Sequence, residues 1–68
     1  MIKMTKQDEE FLRKHLSNFG ELKKGNINTL LLEIHDLTLQ GLDENDNPTS
    51  FYYEAQKVYD SIFLLNST

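Results

Sequence analysis

The residues from Asp43 to Glu54 come closest to a ligand-binding motif in this sequence. Oxygen-bearing side chains stand at positions 1, 3 and 5 of the segment and a glutamate at position 12, as in the calcium loop of an EF-hand. Position 6, however, is Pro48, where that loop needs a glycine, and proline cannot adopt the positive φ of the sharp turn. We therefore interpret the segment as a capped turn that starts a helix, and predict no calcium site.

The two histidines, His15 and His35, are the other candidates for metal or proton chemistry. His15 falls in an apolar stripe one helical turn from Phe11, which is typical of a partly buried structural histidine. His35 has Glu33 and Asp36 nearby in sequence, but residues one or two apart on a helix do not face each other. No Glu-x-x-His or His-x-x-x-His spacing occurs, so we predict no zinc or di-iron site.

The residue types needed for covalent or phosphoryl chemistry are also missing from the sequence. It contains no cysteine, no glycine-rich phosphate loop and no serine in a nucleophile-elbow motif. Its carboxylates fall on predicted solvent faces, and a chain of 68 residues leaves little volume for a substrate pocket. We therefore predict a protein that is not an enzyme and binds no cofactor.

The elements that position these residues are three predicted helices, at about residues 5–19, 27–40 and 49–65. The first is expected to start at a reciprocal cap between Thr5 and Asp8 and to end at Gly20 in a left-handed conformation. The residues from 21 to 25, which include two lysines, are expected to form a linker.

The second predicted helix is unusually apolar. Asn26 or Asn28 can cap its start and Gly41 its end, and its apolar residues cover roughly 220° of the helical wheel. A helix with so wide an apolar face contacts neighbours on two sides, either inside a bundle or at a dimer seam. Asn47 and Pro48 provide a cap and a first helical residue for the third helix. The prediction is one all-α domain over residues 1–68, a small three-helix bundle or a helical hairpin plus an N-terminal helix.

Charge is divided unevenly along the chain. The net charge is −4, but residues 1–25 carry six basic and four acidic side chains, whereas residues 26–68 carry one lysine and seven carboxylates. This asymmetry favours attraction between helices or between chains. The sequence shows no apolar run long enough for a signal peptide or a membrane span, and no cysteine, so we expect a cytoplasmic protein with no membrane association.

The balance between core and surface indicates a binding role. A chain this short has a thin stability margin and usually relies on disulfides, metals or association, and the first two are not expected here. Several large apolar side chains are also difficult to bury within three helices. We predict that they form a surface that binds a protein partner or a second copy: Leu32, Leu39, Tyr53, Tyr59, Phe63 and Leu64. Small size and abundant Asn, Lys, Ile and Asp suit a regulator, inhibitor or adaptor of bacterial or phage origin.

An alternative hypothesis is a small regulator that associates with nucleic acid. Its contacts would come from the basic N-terminal segment, through Arg13, Lys14, Lys23 and Lys24. The acidic second half disfavours this hypothesis, because it would repel the phosphate backbone. A helix-turn-helix is disfavoured as well, since the turn between the last two helices spans eight residues instead of three or four.

Overall fold

The structure, a computed structural model, describes residues 2–67. Four helices follow one another along the chain: α1 (Lys6–His15), α2 (Phe19–Lys24), α3 (Ile27–Gln40) and α4 (Ser50–Asn66). The described residues form no β-strand beyond one isolated bridge between Leu42 and Pro48. The predicted all-α fold and its bundle arrangement are therefore confirmed.

The first predicted helix is in fact two helices. The chain becomes extended at Leu16, with φ −117° and ψ 111°, and resumes a helical course at Phe19. The prediction that Gly20 ends a helix in a left-handed conformation is wrong. Gly20 lies in the first turn of α2 and has a negative φ. Most of the expected linker at 21–25 is accordingly helical.

The predicted helix starts are confirmed for α1 and α3. Thr5 accepts a hydrogen bond from the Asp8 backbone, and the Asp8 carboxylate accepts one from the Thr5 backbone, which together form the expected capping box. The Asn26 side chain accepts from the backbone of Asn28 at 2.7 Å.

The start of α4 differs from the prediction, because its cap residue is Thr49 instead of Asn47. The Thr49 hydroxyl and backbone NH both donate to the carbonyl of Gly41, at 2.6 and 2.9 Å. These bonds close the loop between α3 and α4 at its base, so the first turn of α4 is tied directly to the C-terminal end of α3.

The hydrophobic core lies inside a ring of helices. The most extensive contact is between α3 and α4, which run antiparallel, and α1 and α2 complete the ring through contacts α1–α2, α2–α3 and α1–α4. The four largest side chains that are fully buried come from three of the helices: Leu12, Leu30, Ile34 and Ile62. One side of the α3–α4 pair therefore faces the core, and the other side is left to solvent.

Two polar contacts attach the N-terminal part of the chain to α4. The Ser61 hydroxyl donates to the buried Asp8 carboxylate at 2.7 Å, which joins α4 to the capping box of α1. The Asn66 side chain accepts from the backbone NH of Lys3 at 2.9 Å and donates to the Lys3 carbonyl at 2.8 Å. Because both contacts satisfy groups at the edge of the core, they fix how α1 and the preceding segment lie on α4.

Two glycines should respond in opposite ways to alanine. A β-carbon at Gly41 would lie 2.5 Å from the backbone nitrogen of Tyr52, so Gly41→Ala must separate α3 from α4 and should destabilise the protein by about 1–3 kcal/mol. At Gly20 nothing lies within 4 Å of such an atom, and Gly20→Ala should stabilise it by about 0.5–1 kcal/mol through the helix preference of alanine. Urea unfolding followed by circular dichroism measures both, and equal effects of the two substitutions would contradict this packing.

Candidate protein-binding surface

The side chains predicted to bind a partner all lie on α3 and α4, and most of them are exposed. Leu32 and Leu64 expose about two thirds of their surface, at 66% and 67%. Leu39, Tyr53 and Phe63 are exposed by half or more. Tyr59 is half-buried and packs against the core. We refer to these residues together as the α3–α4 apolar surface: Leu32, Leu39, Tyr53, Tyr59, Phe63 and Leu64.

The part of this surface on α3 faces away from the core. Leu32 and Leu39 are seven residues apart, so they lie on the same side of the helix. The buried side chains of Leu30, Ile34 and Leu37 occupy the opposite side. The wide apolar arc of α3 therefore has two parts, one buried in the core and one exposed to solvent.

A shallow groove runs between α3 and α4 and brings three of the predicted residues together. Leu32 lines it from α3, while Tyr59 and Phe63 line it from α4. The rings of Tyr59 and Phe63 are nearly parallel, with 6.5 Å between their centroids and 5° between their planes. The groove encloses about 490 Å³. Its floor is mostly apolar and open to solvent, which suits the side chains of a docked helix or loop.

The remaining predicted residues on α4 lie outside the groove. Tyr53 and Leu64 are eleven residues apart, which puts them on one side of the helix, facing away from the buried Ala55, Val58 and Ile62. The Tyr53 ring packs edge-on against Tyr52, with centroids 5.4 Å apart. The six residues thus form a groove with outlying apolar positions rather than one compact patch.

Sequence reasoning missed several groove residues. Asn28, Leu31 and His35 also line the groove, although none of them was among the residues predicted to bind a partner. Leu65, which was not among the residues predicted to bind a partner, exposes 39% of its surface. The available signal was spacing: Asn28 and His35 stand four residues before and three after Leu32, so they share its side of the helix.

The structure places the candidates for metal chemistry in structural roles. His15 is half-buried as predicted, with its ring centroid 4.5 Å from that of Phe11 and 4.9 Å from that of Phe51. In the calcium-like segment, one Asp43 carboxylate oxygen accepts from the backbone NH groups of Asn45 and Asn47, at 2.8 and 2.9 Å. Within residues 2–67, no three His, Asp or Glu side chains are grouped closely enough to hold a metal ion.

Two of the four residues predicted to contact nucleic acid are already engaged by an acid. The Glu9 carboxylate bonds to the side-chain nitrogens of Lys23 and Arg13, each at 2.9 Å. The Lys23 hydrogen bond, followed by that of Arg13, lowers the pKa of Glu9 below its ordinary value of 4.5. The Arg13 guanidinium also lies over the Phe19 ring, 5.3 Å from its centroid. Lys14 and Lys24 are exposed, and the nucleic-acid hypothesis stays a prediction.

Comparison with known proteins found no match among protein-family models, curated proteins or solved structures. The site must therefore be interpreted from its own geometry. Among the described residues, no helix combines the length and apolar character needed to cross a membrane.

The Glu9 ion pairs should make stability depend on pH. Because the pKa of Glu9 is lowered in the folded state, its contribution is present above pH 4.5 and is lost as pH falls through the lowered value. Glu9→Gln should therefore lower the melting temperature at pH ~7 and lower it less at pH ~3. Thermal melts followed by circular dichroism measure this, with the exposed neighbour Glu10→Gln as control. The same loss at both pH values, or an equal loss in the control, would contradict the role of Glu9.

Proposed function

We propose that this chain is a non-catalytic protein-binding module that docks through its α3–α4 apolar surface, as a cytoplasmic regulator, inhibitor or adaptor. The observation that carries the proposal is the exposure of Leu32 and Phe63 on either side of the groove, at 66% and 50%. The cytoplasmic location follows from the expectation set by the cysteine-free composition.

The energetics of burial support a binding role for the groove. Burying a large apolar side chain completely contributes about 1.5–3 kcal/mol, and Leu32, Phe63 and Leu64 each leave half or more of that contribution unused in the folded chain. Single exposed apolar residues are common on protein surfaces, but apolar side chains that line one groove are typical of interaction sites. The partner would be a second copy of this chain or a different protein.

The distribution of exposed apolar residues also indicates which side of the molecule a partner would approach. All the large hydrophobic side chains exposed among residues 2–67 belong to α3 or α4, whereas those of α1 and α2 are buried or half-buried. A partner that buries apolar area should therefore approach the α3–α4 side, and the α1–α2 side should stay in solvent.

Photo-crosslinking in the cells that naturally contain the protein tests this function. A benzoylphenylalanine placed at Phe63 should form a covalent adduct with the partner, because Phe63 lines the groove. The same group at Glu10, which is exposed on α1, serves as the matched control and should form none. Adducts are detected by gel mobility and identified by mass spectrometry. Failure to form an adduct from positions 32, 53 and 63, or the same adduct from Glu10, would overturn the proposal.

A further inference from the structure

The charges that border the α3–α4 apolar surface are predominantly negative, and this determines what could dock there. Asp36 lies on α3 between Leu32 and Leu39, four residues after the first and three before the second, and is exposed. On α4, Asp60 precedes Phe63 by three residues and Leu64 by four, and is also exposed. Side chains at these spacings are neighbours on a helix, about 5–6 Å apart, so a carboxylate stands beside the apolar positions on each helix.

More carboxylates surround this side of the molecule, and only one cation accompanies them. Lys57 is the single basic residue after position 25. The loop between α3 and α4, next to Leu39 and Tyr53, adds three exposed carboxylates, those of Asp43, Glu44 and Asp46. Within residues 2–67 the ion pairs are the two made by Glu9, on the other side of the bundle, so these acids have no cationic partner in the folded chain.

We propose that the partner presents a basic amphipathic helix, whose apolar side chains enter the groove while lysine or arginine side chains pair with Asp36 and Asp60. This inference rests on the proposed function and specifies the chemistry of its partner. The Asp60 carboxylate accepts one hydrogen bond, from the neutral Gln56 side chain at 3.0 Å. A carboxylate without a cationic partner at the edge of an interface loses hydration when a partner protein covers it, and a cation from that partner restores the lost interaction. A neutral or acidic partner would leave the two aspartates uncompensated.

A second copy of this chain does not meet these requirements. In a two-fold symmetric dimer the same surface meets itself, which would place two sets of carboxylates, including Asp36 and Asp60, at one interface. In a head-to-tail arrangement the basic α1–α2 side would meet the acidic side, but that basic side exposes no large apolar side chain among the described residues. The two-fold symmetric dimer therefore lacks cations opposite the carboxylates, and the head-to-tail arrangement lacks apolar side chains opposite the groove.

The shape of the groove favours a helix as the docked element. Two antiparallel helices leave a furrow along their seam into which the side chains of a third helix can pack. With its 14 residues α3 is about 21 Å long, and the groove occupies its N-terminal part, from Asn28 to His35. A helix of similar length, with apolar residues at i, i+3, i+4 and i+7, would present one continuous stripe to the groove.

The experiment uses the full chain and two designed peptides of about 14 residues, a length that matches α3. Both have leucine at the i, i+3, i+4 and i+7 positions, with lysine at all other positions in one and glutamate in the other. Each peptide is labelled with fluorescein and titrated with the protein, and binding is followed by fluorescence anisotropy. The lysine peptide should bind at least tenfold more tightly than the glutamate peptide. Its affinity should fall several-fold between ~0.05 and ~0.5 M NaCl, because salt screens exposed charges.

Matched variants locate the binding and separate its charge from its apolar component. Asp36→Asn with Asp60→Asn should weaken binding of the lysine peptide about fivefold or more, because both cationic contacts are lost. Glu10→Gln with Glu21→Gln removes the same total charge from exposed positions on α1 and α2, and should change the affinity less than twofold. Phe63→Ala, a truncation in the groove, should weaken the binding of the lysine peptide by at least fivefold.

The possible outcomes distinguish this inference from the proposed function. If both peptides bind equally and Phe63→Ala weakens both, the groove binds apolar helices but the preference for a basic partner is wrong. If both double variants weaken binding alike, the effect is one of net charge and the inference is also overturned. Sedimentation of the protein alone should show a monomer, and a dimer that Leu32→Lys dissociates would assign the surface to a second copy. If crosslinking from positions 32, 53 and 63 yields no adduct, it is the proposed function itself that fails.

Discussion

The packing of α3 against α4 is the contact on which the rest of this structure depends. It is held at one end by the close approach of Gly41 to Tyr52 and by the two hydrogen bonds from Thr49 to the Gly41 carbonyl. Along its length, Leu30, Ile34 and Ile62 meet in the core. Because α1 and α2 are short and contact the pair from one direction, the described chain covers one side of it and leaves the other side open.

Because α1 and α2 cover only one side of the α3–α4 pair, the two sides of the bundle carry different apolar and charged residues. Two of the cations of α1 and α2, Arg13 and Lys23, pair with Glu9, while most of the carboxylates lie on the loop and on α3 and α4. The two sides of the bundle therefore differ in both polarity and charge. In the proposed binding role such an arrangement would provide specificity, because a partner would have to match the apolar groove and the surrounding acids together.

The sequence predicted most of the fold because its signals were local. The Thr5–Asp8 capping box and the Asn26 cap follow from residue types at fixed spacings, and both are present. The break at Leu16 was missed because the apolar spacing of Leu12, Leu16 and Phe19 continues a helical period through it. Ser17 and Asn18 were the available signal, since such residues favour turns over helix interiors.

The candidate site was predictable only in part, because the groove depends on contacts between helices that are distant in sequence. Periodicity showed that α3 has more apolar surface than one interface needs, and Leu32 and Leu39 are exposed as that reasoning implied. Which side chains share a groove depends on how α3 and α4 are aligned, and that alignment is set by the loop closure at Thr49 and Gly41. The sequence predicted the third helix at about residues 49–65 but not the loop closure, so it could not pair His35 with Tyr59 across the seam.

The double hydrogen bond between Asn66 and Lys3 also has a consequence for chain topology. It joins residues separated by 63 positions, and closing so long a loop in an unfolded chain is entropically costly, so the bond should form after the helices have assembled. It also brings the two ends of the described chain side by side. A short glycine-rich linker could bridge them, and a circular permutant opened within the exposed loop at 43–47 would keep every helix while making α4 the first to be synthesised.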